Sequence, residues 1–280
     1  MGDDPNRVDP AIVGGVRIGN GCPLALIAGP CVIETRDHTL RLAEAIQRIA
    51  GAAGLPLIFK ASFDKANRSS VNSYRGPGLE AGLAILSDVH MSLGVPVVSD
   101  IHEPAQAEPA AQVLDMLQIP AFLCRQTDLL LAAGKTRLPV NVKKGQFMSP
   151  EEMRLAVEKL RSAGSDDILL TERGTFFGYG RLVNDMTAIG RLAAWAPVVF
   201  DATHSCQLPG QGNDRSGGMR EMTPLLARAA VAAGCHALFL EVHDDPPNAR
   251  SDAATVWPLE QLAGLLQQCR RIAEAVRGIS

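Results

Sequence analysis

Eight short apolar runs recur along the chain, each followed by a stretch of helical period, and this rhythm restricts the available folds more than any single residue does. The runs span 24–28, 56–59, 95–99, 114–119, 139–142, 168–171, 197–201 and 237–241. Nearly every position in them is apolar, as expected of parallel strands covered on both faces. Between them the period shifts toward 3.6, as at 150–163 and 222–233, and a last helical stretch at 258–276 carries a charged face. Gly54, Gly94, Gly134, Gly164 and Gly234 stand where helices of this series would end. Eight such units, at about 250 residues for the set, predict an α/β fold of the (β/α)8 TIM barrel type. A doubly wound open sheet is the competitor, but no GxGxxG follows the first run. Residues 11–23, with Gly14-Gly15 and Gly19-Asn20-Gly21, predict an N-terminal β-hairpin ahead of the first barrel strand. No internal repeat, linker or low-complexity segment interrupts the series, so residues 1–280 are expected to form one domain.

The charge balance excludes several classes of partner. Lys and Arg number 27 against 30 Asp and Glu. No cationic excess is available for a nucleic-acid backbone or an anionic membrane surface. The longest apolar stretch, around 23–33, is too short to cross a bilayer and contains Gly29 and Pro30. The first residues lack the basic segment of a secretory signal, which leads to the expectation of a soluble cytoplasmic protein. Six scattered cysteines with no CxxC pair argue against a disulfide framework in that compartment.

A barrel builds its active site at the C-terminal ends of its strands. The residues there are Gly29-Pro30-Cys31, Lys60 with Lys65 and Arg68 beyond it, Asp100, Gln118, Lys143-Lys144, Glu172-Arg173, Asp201 with His204, and Glu241 with Asp252. Closure makes the eighth strand a neighbour of the first, so Cys31, His204, Glu241 and Asp252 can converge. One thiol, one imidazole and two carboxylates form a plausible set for Zn(II), Fe(II) or Mn(II), while the plainer alternative is a packed thiol and a hydrogen-bonded loop histidine. His243 and Cys206 each lie two positions from a proposed ligand and are read as neighbours of the site. Lys60, Lys65, Arg68, Lys143 and Arg173 form a second, cationic group suited to a multiply anionic substrate, or else a solvated basic edge. The Asn67-Arg68-Ser69-Ser70 loop offers donors for a phosphate. The glycine-rich stretch 210–218 lacks a P-loop ending and reads as a lid or turn. His38 and His90 are expected on helix surfaces, His236 at the far end of the barrel, and His102 near the pocket.

Several of these motifs resemble the 3-deoxy-D-manno-octulosonate 8-phosphate synthase family. They are Gly29-Pro30-Cys31, the run 60–70 (KASFDKANRSS), Asn141-Val142-Lys143-Lys144-Gly145-Gln146, Glu172-Arg173-Gly174, Asp201-Ala202-Thr203-His204-Ser205 and Ser216-Gly217-Gly218-Met219-Arg220. The resemblance runs from about residue 11 to residue 270, and its most specific part is 65–70. The related 3-deoxy-D-arabino-heptulosonate 7-phosphate synthases typically carry Lys-Pro-Arg-Thr there, so Asn67 favours the octulosonate type. The resemblance implies condensation of phosphoenolpyruvate with D-arabinose 5-phosphate, feeding lipopolysaccharide synthesis, by a cytoplasmic homotetramer. It implies catalytic roles for Lys60, Lys65, Lys143 and His204, and substrate contacts from Ser62, Asn67, Arg68, Ser69, Asp100, Gln118, Arg173 and Gln207. The family has a metal-free type with asparagine at the position of Cys31 and Cys-Asp-Gly near 251–253. Cys31 and Ser251-Asp252-Ala253 therefore point to the metal-dependent type, with a divalent ion on Cys31, His204, Glu241 and Asp252. A barrel that binds metal and anions without turnover is the alternative of a different class.

Overall fold

In the computed structural model, which describes residues 8–67, 71–209 and 217–277, the eight apolar runs are the eight strands of a barrel. They are β1 (Ala25–Gly29), β2 (Leu57–Lys60), β3 (Val97–Asp100), β4 (Met116–Ile119), β5 (Val140–Lys143), β6 (Ile168–Glu172), β7 (Val198–Asp201) and β8 (Ala237–His243). Each pairs in parallel with the next, and β8 pairs with both β7 and β1, which closes the sheet. The helices between them are α1 (Arg36–Ala53), α2 (Leu79–Leu93), α3 (Ala107–Ala111), α4 (Thr127–Lys135), α5 (Met153–Ala163), α6 (Thr187–Leu192), α7 (Thr223–Ala232) and α8 (Leu259–Arg277).

Both faces of every strand are buried, but they do different work. Outward side chains such as Leu26, Phe59, Val97, Leu117, Val142, Leu170, Phe200 and Leu240 join the large core beneath the helices. Inward side chains alternate with these at a period of two. The lower inward layer is apolar: Ala25, Ile27, Ile58, Val98, Met116, Leu169, Val199, Ala237 and Phe239 pack together. One step higher the inward residues become polar, with Lys60, Asp100, Gln118, Lys143, Thr171, Asp201 and Glu241, all buried. A run that reads as uniformly apolar thus ends on an inward polar residue, which is how the barrel presents chemistry above a solid floor.

The hairpin forms as expected, from strands Ala11–Val13 and Val16–Ile18 in antiparallel register. Gly14 and Gly15 turn it with φ of 50° and 86°, the positive pair a tight two-residue turn demands. Its Ala11, Val13 and Ile18 belong to the same cluster as the lower inward layer, so it stoppers the N-terminal end of the barrel. Gly54, Gly94 and Gly164 cap helices in the left-handed region, and Gly234 follows α7 with φ of 93°. Gly134 does not cap a helix. It lies inside α4, where an added Cβ would sit 2.7 Å from the Ala163 side chain, and its smallness lets α4 press against α5. Gly217–Gly218 pairs with Gln207–Leu208, while residues 210–216 of the glycine-rich stretch lie outside the described residues.

Candidate active site

Four of the expected residues converge where β1, β7 and β8 meet. Cys31 follows β1 directly, and its Sγ lies 3.1 Å from Asp252 Oδ2 and 2.6 Å from Ser251 Oγ. Ligand atoms of Cys31, Glu241 and Asp252 all fall within 4.8 Å of one another. His204 turns Nε2 toward the same point, 3.6 Å from Glu241 Oε2 and 3.8 Å from Asp252 Oδ2. Its Nδ1 is engaged on the other side by Asp201 Oδ2 at 2.7 Å, which fixes the ring and leaves Nε2 facing the cluster. Asp252 takes φ of 47°, a left-handed conformation that an Asp tolerates and that aims its carboxylate inward.

This donor set suits a divalent ion. Glu241 is fully buried, yet neither carboxylate oxygen accepts a hydrogen bond. Lys60, Lys65 and His204 balance its charge from 3.5–3.7 Å, and both oxygens keep lone pairs that could ligate a cation. Burial, reinforced by Glu241, pushes the Cys31 thiol well above its usual range; a divalent cation among these groups would draw off that proton. Burial opposes ionisation of Asp252, but the charge of His204, reinforced by Lys65, holds it below the normal carboxylate range. Burial also opposes a cationic His204, and Asp201 overcomes it, so the imidazole pKa is raised.

The cations line the same well. Lys60 and Lys65 lie 3.7 and 3.5 Å from Glu241 Oε1, and Lys60 lies 3.0 Å from Asp100. Lys143 donates to Asp201 at 2.8 Å and sits 3.8 Å above the Phe239 ring, a favourable cation–π seat. Arg173 donates to the His204 carbonyl at 2.9 Å and to Gln207 Oε1 at 2.7 Å, and Gln207 reaches Asp252 Oδ1 at 3.4 Å. All four cations are buried. Lys and Arg are almost never buried unless paired, so this is an electrostatic pocket and not a solvated edge. Burial depresses the Lys60 pKa, with Asp100 opposing, whereas at Lys65 the carboxylates of Glu241, Asp100 and Asp252 outweigh burial and the pKa is raised.

Other expected residues fall in different places. Ser62 is buried between Lys60 and Asp100. Gln118 is 0% exposed and its amide is engaged at both ends, by Asp100 and by Asn141, which sets it in the wall of the barrel. Asn67 is exposed, while Arg68 and Ser69 lie outside the described residues. His38 is less exposed than expected: its side chain retains 12% exposure, its Nε2 meets Asp244 at 2.8 Å, and its ring packs against His243. Glu34, His38 and His243 form a second compact donor group. However, His243 Nδ1 accepts the Asp245 N–H, which leaves the ring proton on Nε2 facing Glu34. The group is therefore a hydrogen-bonded clasp, and Glu34 also accepts the Arg250 N–H to hold the loop bearing Asp252. Cys206 points away, to the Ala202 carbonyl and Thr223.

Asp201 was visible as a strand-end acid but carried no assigned role. In the structure it joins the two halves of the site, gripping His204 and Lys143 through the same oxygen. An acid ending a strand with a histidine three residues on was the available signal.

The whole arrangement has counterparts among known proteins. The family model described as the DAHP synthetase I family matches residues 5–277. A 2-dehydro-3-deoxyphosphooctonate aldolase of Trichlorobacter lovleyi is 54% identical over 266 residues, covering 95% of this chain and 98% of that protein. Proteins of the same name from Koribacter versatilis and Citrifermentans bemidjiense are 54% and 55% identical, covering 96% and 93% of this chain and 98% and 96% of their own lengths. A closed eight-stranded barrel, a well of buried cations at its C-terminal mouth and end-to-end similarity agree with one another, and the chain belongs to the DAHP synthetase I family.

Proposed function

We propose that the protein condenses phosphoenolpyruvate with D-arabinose 5-phosphate and water, giving 3-deoxy-D-manno-octulosonate 8-phosphate and inorganic phosphate. The observation that carries this reading is the set of four buried cations, Lys60, Lys65, Lys143 and Arg173, facing a Cys–His–Glu–Asp cluster in one well. Such a set matches a small trianionic substrate placed beside a polarising centre. The names of the relatives favour the pentose acceptor over erythrose 4-phosphate.

In this reading Lys60, Lys65, Lys143 and Arg173 hold the carboxylate and phosphate of phosphoenolpyruvate above Phe239. The loop that begins at Asn67 receives the phosphate of the pentose and presents its aldehyde to C3 of the enol. The C2–C3 π pair forms the new bond to the aldehyde carbon, whose C=O π pair moves onto its oxygen, and water adds to C2 and gives a proton to that oxygen. The C2–O bond to phosphate then breaks, leaving the C2 carbonyl of the product. Cys31, His204, Glu241 and Asp252 would hold a divalent ion, which would supply orientation and Lewis acidity. Asp201 keeps His204 Nε2 directed into the site and holds Lys143 in place. Gln207 links Arg173 to Asp252, coupling the anion pocket to the donor cluster. Alignment of two anions in one well can contribute about 7–11 kcal/mol to the rate.

We further propose a homotetramer in the cytoplasm. Phe177 and Tyr179 are 96% and 101% exposed on a turn after β6, and Phe122, Phe147 and Leu155 are also open; apolar side chains left bare in this way favour association. Among the described residues no helix is long and apolar enough to cross a membrane.

Phosphate release is the direct test. Phosphoenolpyruvate with arabinose 5-phosphate should release phosphate, chelation should abolish the release and added Mn(II) or Zn(II) should restore it. Erythrose 4-phosphate should be the poorer acceptor. Release with erythrose alone would move the protein to heptulosonate synthesis, and binding without release to either sugar would make it a non-catalytic barrel. Full activity after exhaustive chelation would return Cys31 to the role of a packed thiol.

A further inference from the structure

The inward polar layer contains a continuous hydrogen-bonded belt across five adjacent strands. Thr171 Oγ1 on β6 donates to Asn141 Oδ1 on β5 at 2.7 Å. Asn141 Nδ2 donates to Gln118 Oε1 on β4 at 2.9 Å. Gln118 Nε2 donates to Asp100 Oδ1 on β3 at 2.5 Å. From the other side Lys60 Nζ, at the end of β2, donates to Ser62 Oγ at 2.5 Å, and Ser62 donates to Asp100 Oδ2. All six residues are buried.

The direction of this belt is dictated by one group. An ionised carboxylate only accepts, so Gln118 must turn its NH2 toward Asp100 and its carbonyl toward Asn141. That carbonyl requires the Asn141 NH2, which leaves the Asn141 carbonyl facing β6, where the Thr171 hydroxyl donates to it. Every donor points toward Asp100, and bonds aligned head to tail polarise and strengthen one another. Asp100 in turn is the partner of Lys60, 3.0 Å away.

We propose that Thr171, Asn141 and Gln118 are positioning residues that hold the Asp100 carboxylate, and through it Ser62 and Lys60, in the geometry that receives the anionic substrate. Thr171 acts across two intervening side chains. The assignment rests on the reading of Lys60 as a phosphoenolpyruvate contact, so two readouts are paired.

The first is phosphoenolpyruvate affinity, measured by calorimetry on the full-length, metal-loaded protein. Thr171→Val keeps shape and removes only the hydroxyl; Thr171→Ser keeps the hydroxyl. Loss of one hydrogen bond predicts roughly twofold to tenfold weaker binding for Thr171→Val, with Thr171→Ser within about twofold of wild type. Unchanged binding in Thr171→Val, or equal weakening in both variants, overturns the proposal, the latter because packing alone would then explain it. The second readout needs no substrate: urea midpoints of Thr171→Val, Asp100→Asn and the double variant. Side chains with no direct contact and no shared partner normally give additive shifts. A belt predicts that Thr171→Val shifts the midpoint less in the Asp100→Asn background, and additivity overturns it. Ser62→Ala, whose partners Lys60 and Asp100 are not shared with Thr171, replaces Asp100→Asn if the latter does not fold. Wild-type protein that binds no phosphoenolpyruvate would refute the functional reading alone, and the urea cycle would still decide the belt.

Discussion

Asp201 shows how much one side chain can be asked to do. One carboxylate oxygen takes both the His204 ring and the Lys143 ammonium, and the other accepts the backbone N–H groups of Thr203 and His204. Asp201→Asn should therefore lower divalent-metal affinity about tenfold to a hundredfold, the usual cost of losing a histidine's orienting carboxylate, as measured by competition with a chromogenic chelator. The same residue makes a pH prediction. Burial would raise its pKa, but His204 and Lys143 hold it below the unfolded value of about 3.9. The ionised group then stabilises the fold at every pH above that value, and the contribution is lost as pH falls toward the folded-state pKa. In chelated protein, the stability gap between wild type and Asp201→Asn should close as pH falls below about 4, and should also narrow as pH rises through the raised His204 pKa, where the imidazolium partner is lost. A gap that widens as pH falls from about 4 would contradict the assignment. At this scale the sequence was partly legible. Strand-end position picked out Cys31, His204, Glu241 and Asp252, which the fold brings together at one rim. It does not show the surroundings of Gln118: a sequence tells that a polar residue ends a strand but not that Asp100 and Asn141 engage its amide.

At the scale of elements the reading was close. Each of the eight runs overlaps a strand, and β6 and β8 begin at the residues expected, because parallel strands buried on both faces must be apolar throughout. The inward and outward faces were not separable in those runs, since both are packed; only the polar residue at each upper end shows which set looks inward. Gly134 was misread because smallness for helix contact and freedom at a helix end look identical in a sequence. Two glycines permit a test of how elements divide labour. A Cβ on Gly29 would lie 2.0 Å from the Lys60 carbonyl, so Gly29→Ala must move β1 from β2 and displace Cys31 and Lys60 together. A Cβ on Gly14 would lie 2.6 Å from Pro96 at the opposite end, in a backbone with positive φ. Gly14→Ala should lower unfolding stability by about 1–3 kcal/mol with kcat nearly unchanged, whereas Gly29→Ala should lose most activity and metal binding even when folded. Equal activity losses in both would show that the two ends of the barrel are not independent.

For the molecule as a whole, the polar layer rests on an apolar one, and the apolar layer rests on the hairpin. Lys60 and Lys143 end their strands at the level of Phe239, while Asn67 stands exposed on the loop above β2. A ligand on the lysines is thus deeper than one that reaches for the loop. Isotope trapping should show this as an order: labelled phosphoenolpyruvate, bound first, is carried into product when chased in the presence of the pentose, and the labelled pentose, bound first, is not. Equal trapping of both would require a second way in. The hairpin denies one. With its lower end stoppered, the barrel formed by the described residues is a blind shaft open at the C-terminal ends of its strands, so traffic becomes last in, first out. Whatever leaves must pass the seat of the sugar, and the late occupant acts as the cork for the early one until the bond between them has formed.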